Sequence, residues 1–132
     1  MRIVLDTNIL VSHLFWSESM TRHIIRRLME QNEIVRSTET FAELAEVVMR
    51  RKFDRYTTIA ERELFLAAFH DATTHVVISE RIEACRDPKD NKFLELAVCG
   101  KAALVLSGDR DVRVLDPFRG IRILTISSCE AL

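Results

Sequence analysis

Met1-Arg-Ile-Val-Leu-Asp-Thr-Asn-Ile-Leu10 is the stretch that decides the fold. Ile3, Val4 and Leu5 form an apolar run of the kind that fills a strand buried on both faces. The run stops at Asp6. A carboxylate at the carboxyl end of an inner strand opens into the crevice where α/β sheets place their ligands. Thr7 and Asn8 add a hydroxyl and an amide beside it, and Asn8 can also cap the next helix. Taken alone, Asp6 and Asn8 serve equally well as the plain end of a strand and start of a helix. The rest of the chain decides between these readings.

Outward from this stretch, strand one covers about 2–6, and Ile9, Leu10, Leu14 and Phe15 follow in a short helical turn and a loop. Ser17 and Ser19 can cap a helix running to about Gln31, with Met20, Ile24 and Leu28 on one face. Glu33-Ile-Val-Arg36 reads as a strand, and Ser37-Thr38-Glu39-Thr40 opens the next helix. There Phe41, Leu44, Ala45 and Val48 recur with the period of a packed helix. A further helix spans about 58–72, and His75-Val-Val-Ile78 reads as a third strand. Cys85-Arg-Asp-Pro-Lys-Asp90 is a turn, and Phe93, Leu94, Ala97 and Val98 mark a helix ended by Gly100. Ala103-Leu-Val-Leu106 is a second fully apolar run, stopping at Ser107-Gly-Asp-Arg-Asp111. A short helix, the Asp116-Pro117 turn and a last strand over 121–126 complete the chain. Strands alternating with helices predict an α/β fold with a parallel sheet covered on both faces.

The 132 residues fit a single domain, 1–132, large enough for a hydrophobic core. Charged residues make up 30% and hydrophobic ones 48%, as in ordinary water-soluble proteins. The formal net charge of -1 argues against tight, sequence-independent DNA binding, so any nucleic-acid site must be local. Cys85, Cys99 and Cys129 are odd in number and lack a C-x-x-C pair, which argues against a disulfide framework or zinc site and fits a reducing cytoplasm. No basic-then-apolar leader and no run of bilayer-spanning length is expected, so no membrane partner is either.

Asp6 and Asp109 both follow apolar strands, so both fall at the same edge of a parallel sheet. Glu43, in the first turns of a helix, and Asp90, at the start of another, follow their strands to that same edge. Carboxylates converging in this way would repel one another and take up protons unless a hard divalent cation, Mg²⁺ or Mn²⁺, relieved them. Each acid also has a local use. Thr40-x-x-Glu43 fits a capping box, Glu46 and Arg50 an i, i+4 ion pair, Asp90 a helix N-cap, and Asp87 a turn before proline. Asp109 or Asp111 can cap the short helix that follows them.

Leu5-Asp-Thr-Asn8, Thr38-Glu-Thr-Phe-Ala-Glu-Leu44, Cys85-Arg-Asp-Pro-Lys-Asp-Asn-Lys-Phe-Leu-Glu95 and Leu106-Ser-Gly-Asp-Arg-Asp111 stand in order along nearly the whole chain. Together they resemble the PIN-domain family, specifically its small stand-alone bacterial and archaeal members, the VapC-like toxins of toxin–antitoxin pairs. The resemblance implies a three-layer α/β/α fold with a central, mostly parallel sheet, and a metal-dependent ribonuclease. Its acidic quartet corresponds to Asp6, Glu43, Asp90 and Asp109. Asp111 is an additional or alternative metal ligand, and Thr7, Asn8 and Ser107 match polar positions that brace the site. A cognate antitoxin and a homodimer or higher even oligomer are implied as partners.

On this reading, one or two Mg²⁺ or Mn²⁺ ions held by the carboxylates lower the pKa of water and stabilise charge on a phosphodiester. Arg110 and Arg113, flanking the last acid motif, are the expected RNA contacts. Arg22, Arg26, Arg27 and the Arg50-Arg51-Lys52 cluster follow, although charge clusters on helices are usually solvated faces. Phe15 and Trp16 could stack on a base or lie at a subunit contact, and burial is the simpler reading. The four histidines are scattered without ligand spacing and read as structural or exposed. Two other classes compete: a non-catalytic PIN-like module that binds RNA or protein, and an aspartyl phosphoacceptor or phosphatase domain. The latter is disfavoured by Ser79 at the end of 75–78 and by Asn8 where a second aspartate would stand.

Overall fold

The computed structural model describes residues 1–15 and 20–129; Trp16 and the expected caps Ser17 and Ser19 lie outside the described residues. Alternation along the first strand, β1 (Arg2–Leu5), sets the layers. Ile3 and Leu5 enter one hydrophobic cluster and Val4 the other, because successive strand side chains point to opposite faces. The same split recurs in β2 (Glu33–Arg36), with Ile34 and Val35, and in β4 (Leu104–Leu106), with Leu104 and Leu106 against Val105. With apolar demand on both faces, the sheet is sandwiched between helices.

All the pairings of the five-stranded sheet are parallel, in the order β3-β2-β1-β4-β5, with β3 at Thr74–His75 and β5 at Arg122–Leu124. One face is covered by α1 (Thr7–Phe15), α2 (Met20–Gln31), α3 (Thr38–Val48) and α4 (Ile59–Ala72), which contribute Ile9, Leu10, Ile25, Leu44, Val48 and Phe69. The other is covered by α5 (Asn91–Cys99) and α6 (Arg110–Arg113), through Phe93, Leu94, Ala97 and Val112. The chain winds outward from β1 in both directions. β1 and β4 therefore flank the point where strand order reverses, and a crevice opens there at their carboxyl ends.

Several elements differ from the sequence reading. The turn and loop expected after Asn8 is a helix of nine residues, α1, and Asp6 rather than Asn8 caps it: the Ile9 amide donates to Asp6 Oδ1 at 2.9 Å. The third strand is two residues long. Val76 still donates to Arg36 O at 2.8 Å, after which the segment pairs with no described strand, and the Ile82 and Cys85 amides bond to the Glu95 and Asn91 side chains of α5. The last strand stops at Leu124, and a further turn of helix, α7 (Ile126–Cys129), buries Cys129 against the first cluster. The start of α3 is as expected, its capping box formed by Ser37 and Thr40.

Because Leu94 is fully buried between α5 and the sheet while Leu64 on α4 is 71% exposed, denaturant unfolding separates the two positions. Leu94→Ala lowers stability by about 2–5 kcal/mol, and Leu64→Ala changes it by less than about 0.5 kcal/mol.

Candidate active site

The ladder between β1 and β4 pairs Leu5 with Leu106, and the Asp6 amide continues it by donating to Leu106 O at 3.1 Å. That register places Asp6 beside Ser107. Ser107 is buried, hydrogen-bonds the Asp6 side chain and accepts from the Asp109 amide at 3.0 Å. One serine thus fixes both the carboxylate that ends β1 and the loop that follows β4. Glu43 arrives one turn into α3, and Asp90 arrives at the junction of a 3₁₀ turn (Pro88–Asp90) with α5.

These pieces meet in one cleft of about 190 Å³, lined by Asp6, Thr7, Asn8, Glu43, Asp90 and Asp109, with Arg50 and three apolar side chains, Val47, Phe93 and Val112. All four acids of the expected quartet line it, as do Thr7 and Asn8. Asp111 does not, although its amide donates to Asp109 Oδ1 at 2.9 Å, so Asp109 caps α6 while facing the cleft. Arg110 is exposed and Arg113 half-buried, and neither lines the cleft.

The local uses foreseen for the acids divide. Asp87 accepts from the Lys89 amide as turn chemistry requires, and Glu46 pairs with Arg50 at 2.9 Å. The capping-box role for Glu43 is not realised. Its Oε2 accepts from the Thr7 hydroxyl and its Oε1 from Lys92 Nζ at 3.0 Å. Nor does Asp90 cap α5 with its side chain; its backbone is helical and its carboxyl meets Asp109.

The electrostatics follow from this crowding. Burial, then the neighbouring Asp109 carboxylate and a hydrogen bond to it, push the Asp90 carboxyl up from the ordinary aspartate range to about 6. Burial also raises the Asp6 carboxyl, against hydrogen bonds from Ser107 and from the Ile9 and Gly108 amides that pull it down. Among the described residues no three carboxylate, imidazole or thiol side chains already stand as a ready coordination sphere. The donors in the cleft are nonetheless all hard oxygens whose negative charge is only partly offset, which suits a divalent cation of the Mg²⁺ or Mn²⁺ type.

Sequence reasoning missed Lys92. Its one signal was position: a lysine in the first turn of a helix faces the positive end of the dipole, so it needs a compensating partner. The basic segment after α3 proves to be a built feature. Arg62 of α4, 1% exposed, donates to Val48 O, Thr57 O and Asp54 Oδ1, tying down the 49–57 connection. Arg51, Lys52, Asp54, Arg55 and Tyr56 line a hollow on that connection, and Arg50, just before it in the chain, lines the acid cleft. Among the histidines, the ring of His13 is half-buried near Phe65 and that of His70 contacts Arg36.

The raised Asp90 carboxyl has a consequence for stability. Between about pH 4 and 6 the native state keeps a proton that the unfolded chain has released, so this contribution is full below the unfolded value and lost as pH rises through about 6. In EDTA, Asp90→Asn is therefore more stable than the parent at about pH 7. Thermal melts show the difference closing as pH falls toward about 4.5.

Comparison with known proteins bears on the family and the fold. The chain is 26% identical over 113 residues to an uncharacterized protein of Methanocaldococcus jannaschii, a match covering 84% of this chain and 72% of that one. Its fold superposes on a chain of VapBC2 from Rickettsia felis, solved bound to a DNA fragment from their promoter. The TM-score is 0.61 at 17% identity, covering 94% of this chain and 97% of the other. The PIN domain family model matches residues 2–111, which include every acid of the cleft. The chain belongs to the PIN-domain family.

Proposed function

We propose that this protein is a metal-dependent endoribonuclease, the toxin of a toxin–antitoxin pair. The observation that carries this reading is the meeting of Asp6, Glu43, Asp90 and Asp109, from four separated segments, in one cleft at the reversal point of a parallel sheet. Asp6, Asp90 and Asp109 would hold Mg²⁺ or Mn²⁺, with Glu43 completing the ring and Asp111 acting from just outside the cleft. Bound there, such a cation would supply Lewis-acid chemistry, lowering the pKa of water and stabilising charge on a phosphodiester.

The chain's own residues do the positioning. Thr7 orients Glu43, and Ser107 holds Asp6 and the Asp109 loop in register. Asn8 offers an amide at the cleft. Water is the nucleophile, so no side chain forms a covalent intermediate. Val47, Phe93 and Val112 narrow the cleft around the reacting phosphate and lower the local dielectric, which strengthens each of these interactions.

For the substrate path, Arg50 at the cleft and Arg51, Lys52 and Arg55 beyond it offer a track of positive charge for a single-stranded backbone. Arg110 and Arg113, at the far side of the Asp109 loop, are secondary contacts. The antitoxin partner is supported by the likeness to VapBC2; the homodimer or higher even oligomer is carried over from the resemblance to VapC-like toxins. Among the described residues no helix is long and apolar enough to cross a membrane. Action in the cytoplasm accords with the three free cysteines.

Labelled single-stranded RNA is cut in Mg²⁺ or Mn²⁺ and left intact in EDTA. Asp6→Asn folds but loses activity by about 10²-fold or more. Metal-dependent cutting retained in that variant, or absence of both metal binding and cutting in the parent, contradicts the reading; the latter outcome favours a non-catalytic binding module. Arg51→Glu with Arg55→Glu raises KM more than it lowers kcat. It also flattens the dependence of log KM on log salt by about 0.7 for each phosphate that is no longer neutralised.

A further inference from the structure

Lys92 is held in an electrostatically awkward place. It is the second residue of α5, where the helix dipole disfavours a cation. Its ammonium nonetheless donates to Glu43 Oε1 at 3.0 Å, with side chains only 18% and 24% exposed. Glu43 lines the acid cleft, whereas Lys92 lines a second hollow of about 290 Å³, together with Glu39, Arg81, Asn91 and Glu95. The ion pair therefore links a residue of one hollow to a residue of the other. Among the described ion pairs of the cleft acids, this is the one with a side-chain cation; Asp6, Asp90 and Asp109 answer to hydrogen-bond donors and to one another.

Glu43 has both oxygens committed, one to Lys92 and one to Thr7. For Glu43 to serve a divalent ion, one of these bonds must yield. The Thr7 hydroxyl is an uncharged donor to Oε2, and its bond is compatible with coordination of the other oxygen. The ammonium instead competes directly for the charge that the ion would use. Lysine suits an exchange of this kind, being a compact charge on a flexible four-carbon stem that can swing away without leaving a planar hydrogen-bond fork unmatched.

We propose that Lys92 is the resident cation of Glu43: it occupies that carboxylate in the cation-free protein, yields it to an entering divalent ion, and then contacts a phosphodiester oxygen of the substrate. This rests on the metal-dependent reading above. Loading the metal thus frees an ammonium beside the cleft at the moment when an anionic substrate can use it. In the absence of metal, the ammonium is withdrawn into the ion pair.

The test uses the full-length protein and two readouts, Mn²⁺ affinity from EPR titration without RNA and steady-state cleavage at saturating Mn²⁺. Lys92→Met, checked for folding by its melting temperature, binds Mn²⁺ about three- to tenfold tighter, because the competing charge is gone. The same variant shows a KM for RNA raised by a similar factor. Lys92→Arg keeps Mn²⁺ affinity near that of the parent, and Lys92→Gln follows Met, which serves if the apolar variant fails to fold. A purely structural role for Lys92 weakens metal and substrate binding together; that result, or unchanged Mn²⁺ affinity, overturns the proposal while leaving the nuclease reading intact. Tighter Mn²⁺ binding with an unchanged KM overturns the phosphate contact. No Mn²⁺ binding by parent or variants overturns the metal-dependent reading itself, and this proposal with it.

Discussion

The parallel register that sets Leu5 against Leu106 governs the placement of everything else in the molecule. It brings the ends of two apolar strands side by side, so that Asp6 and the Ser107–Asp109 loop emerge into the same crevice. Every other contribution to the site is referred to that edge. α3 delivers Glu43 because β2 pairs with β1 on its other side, and α5 delivers Asp90 by packing across the face that contains Val4 and Val105. A slip of one residue in the ladder would invert the burial of Ile3, Val4 and Leu5. The hydrophobic core and the geometry of the acids are thus specified by the same pairing.

Gathering carboxylates at such an edge costs stability, and the structure shows how the cost is spread. Asp6 accepts amide and hydroxyl donors, Asp90 is driven to hold its proton up to about pH 6, and Glu43 takes an ammonium. These are three different answers to the same excess of negative charge. None of them removes it, which is the physical reason for proposing a divalent cation in the cleft. Neighbouring Arg50 is tethered by Glu46 and leads into a basic connection that is anchored from below by the buried Arg62. One arginine thus stands at the cleft and further basic residues follow it in the chain, while the net charge stays close to zero.

Much of this was legible in the sequence, for physical reasons. Two uninterrupted apolar runs, each ended by a polar cluster, announce buried parallel strands, and the period of Phe41, Leu44 and Val48 announces α3. The convergence of the four acids followed from topology alone. What the sequence concealed depends on distant partners. The third strand was overextended because Val76–Ile78 is apolar enough for a ladder, yet Glu95 and Asn91 take hold of the segment that follows it. α1 was cut short because its cap is the same aspartate that faces the crevice. Arg62 reads as an ordinary charge on an amphipathic helix, and only the fold reveals the carbonyls of Val48 and Thr57 that it satisfies. Lys92 was hidden inside a motif read for its aspartates, since its partner lies 49 residues away.

Whether the cleft holds a divalent cation is decided by the anomalous diffraction of a crystal grown or soaked in Mn²⁺. A peak is expected inside the cleft, within coordinating distance of the Asp6 and Asp109 carboxylates and adjoining Asp90 and Glu43, with Lys92 no longer on Glu43. A cleft without a peak at Mn²⁺ concentrations that saturate binding in solution, or manganese bound elsewhere on the chain, would refute the assignment.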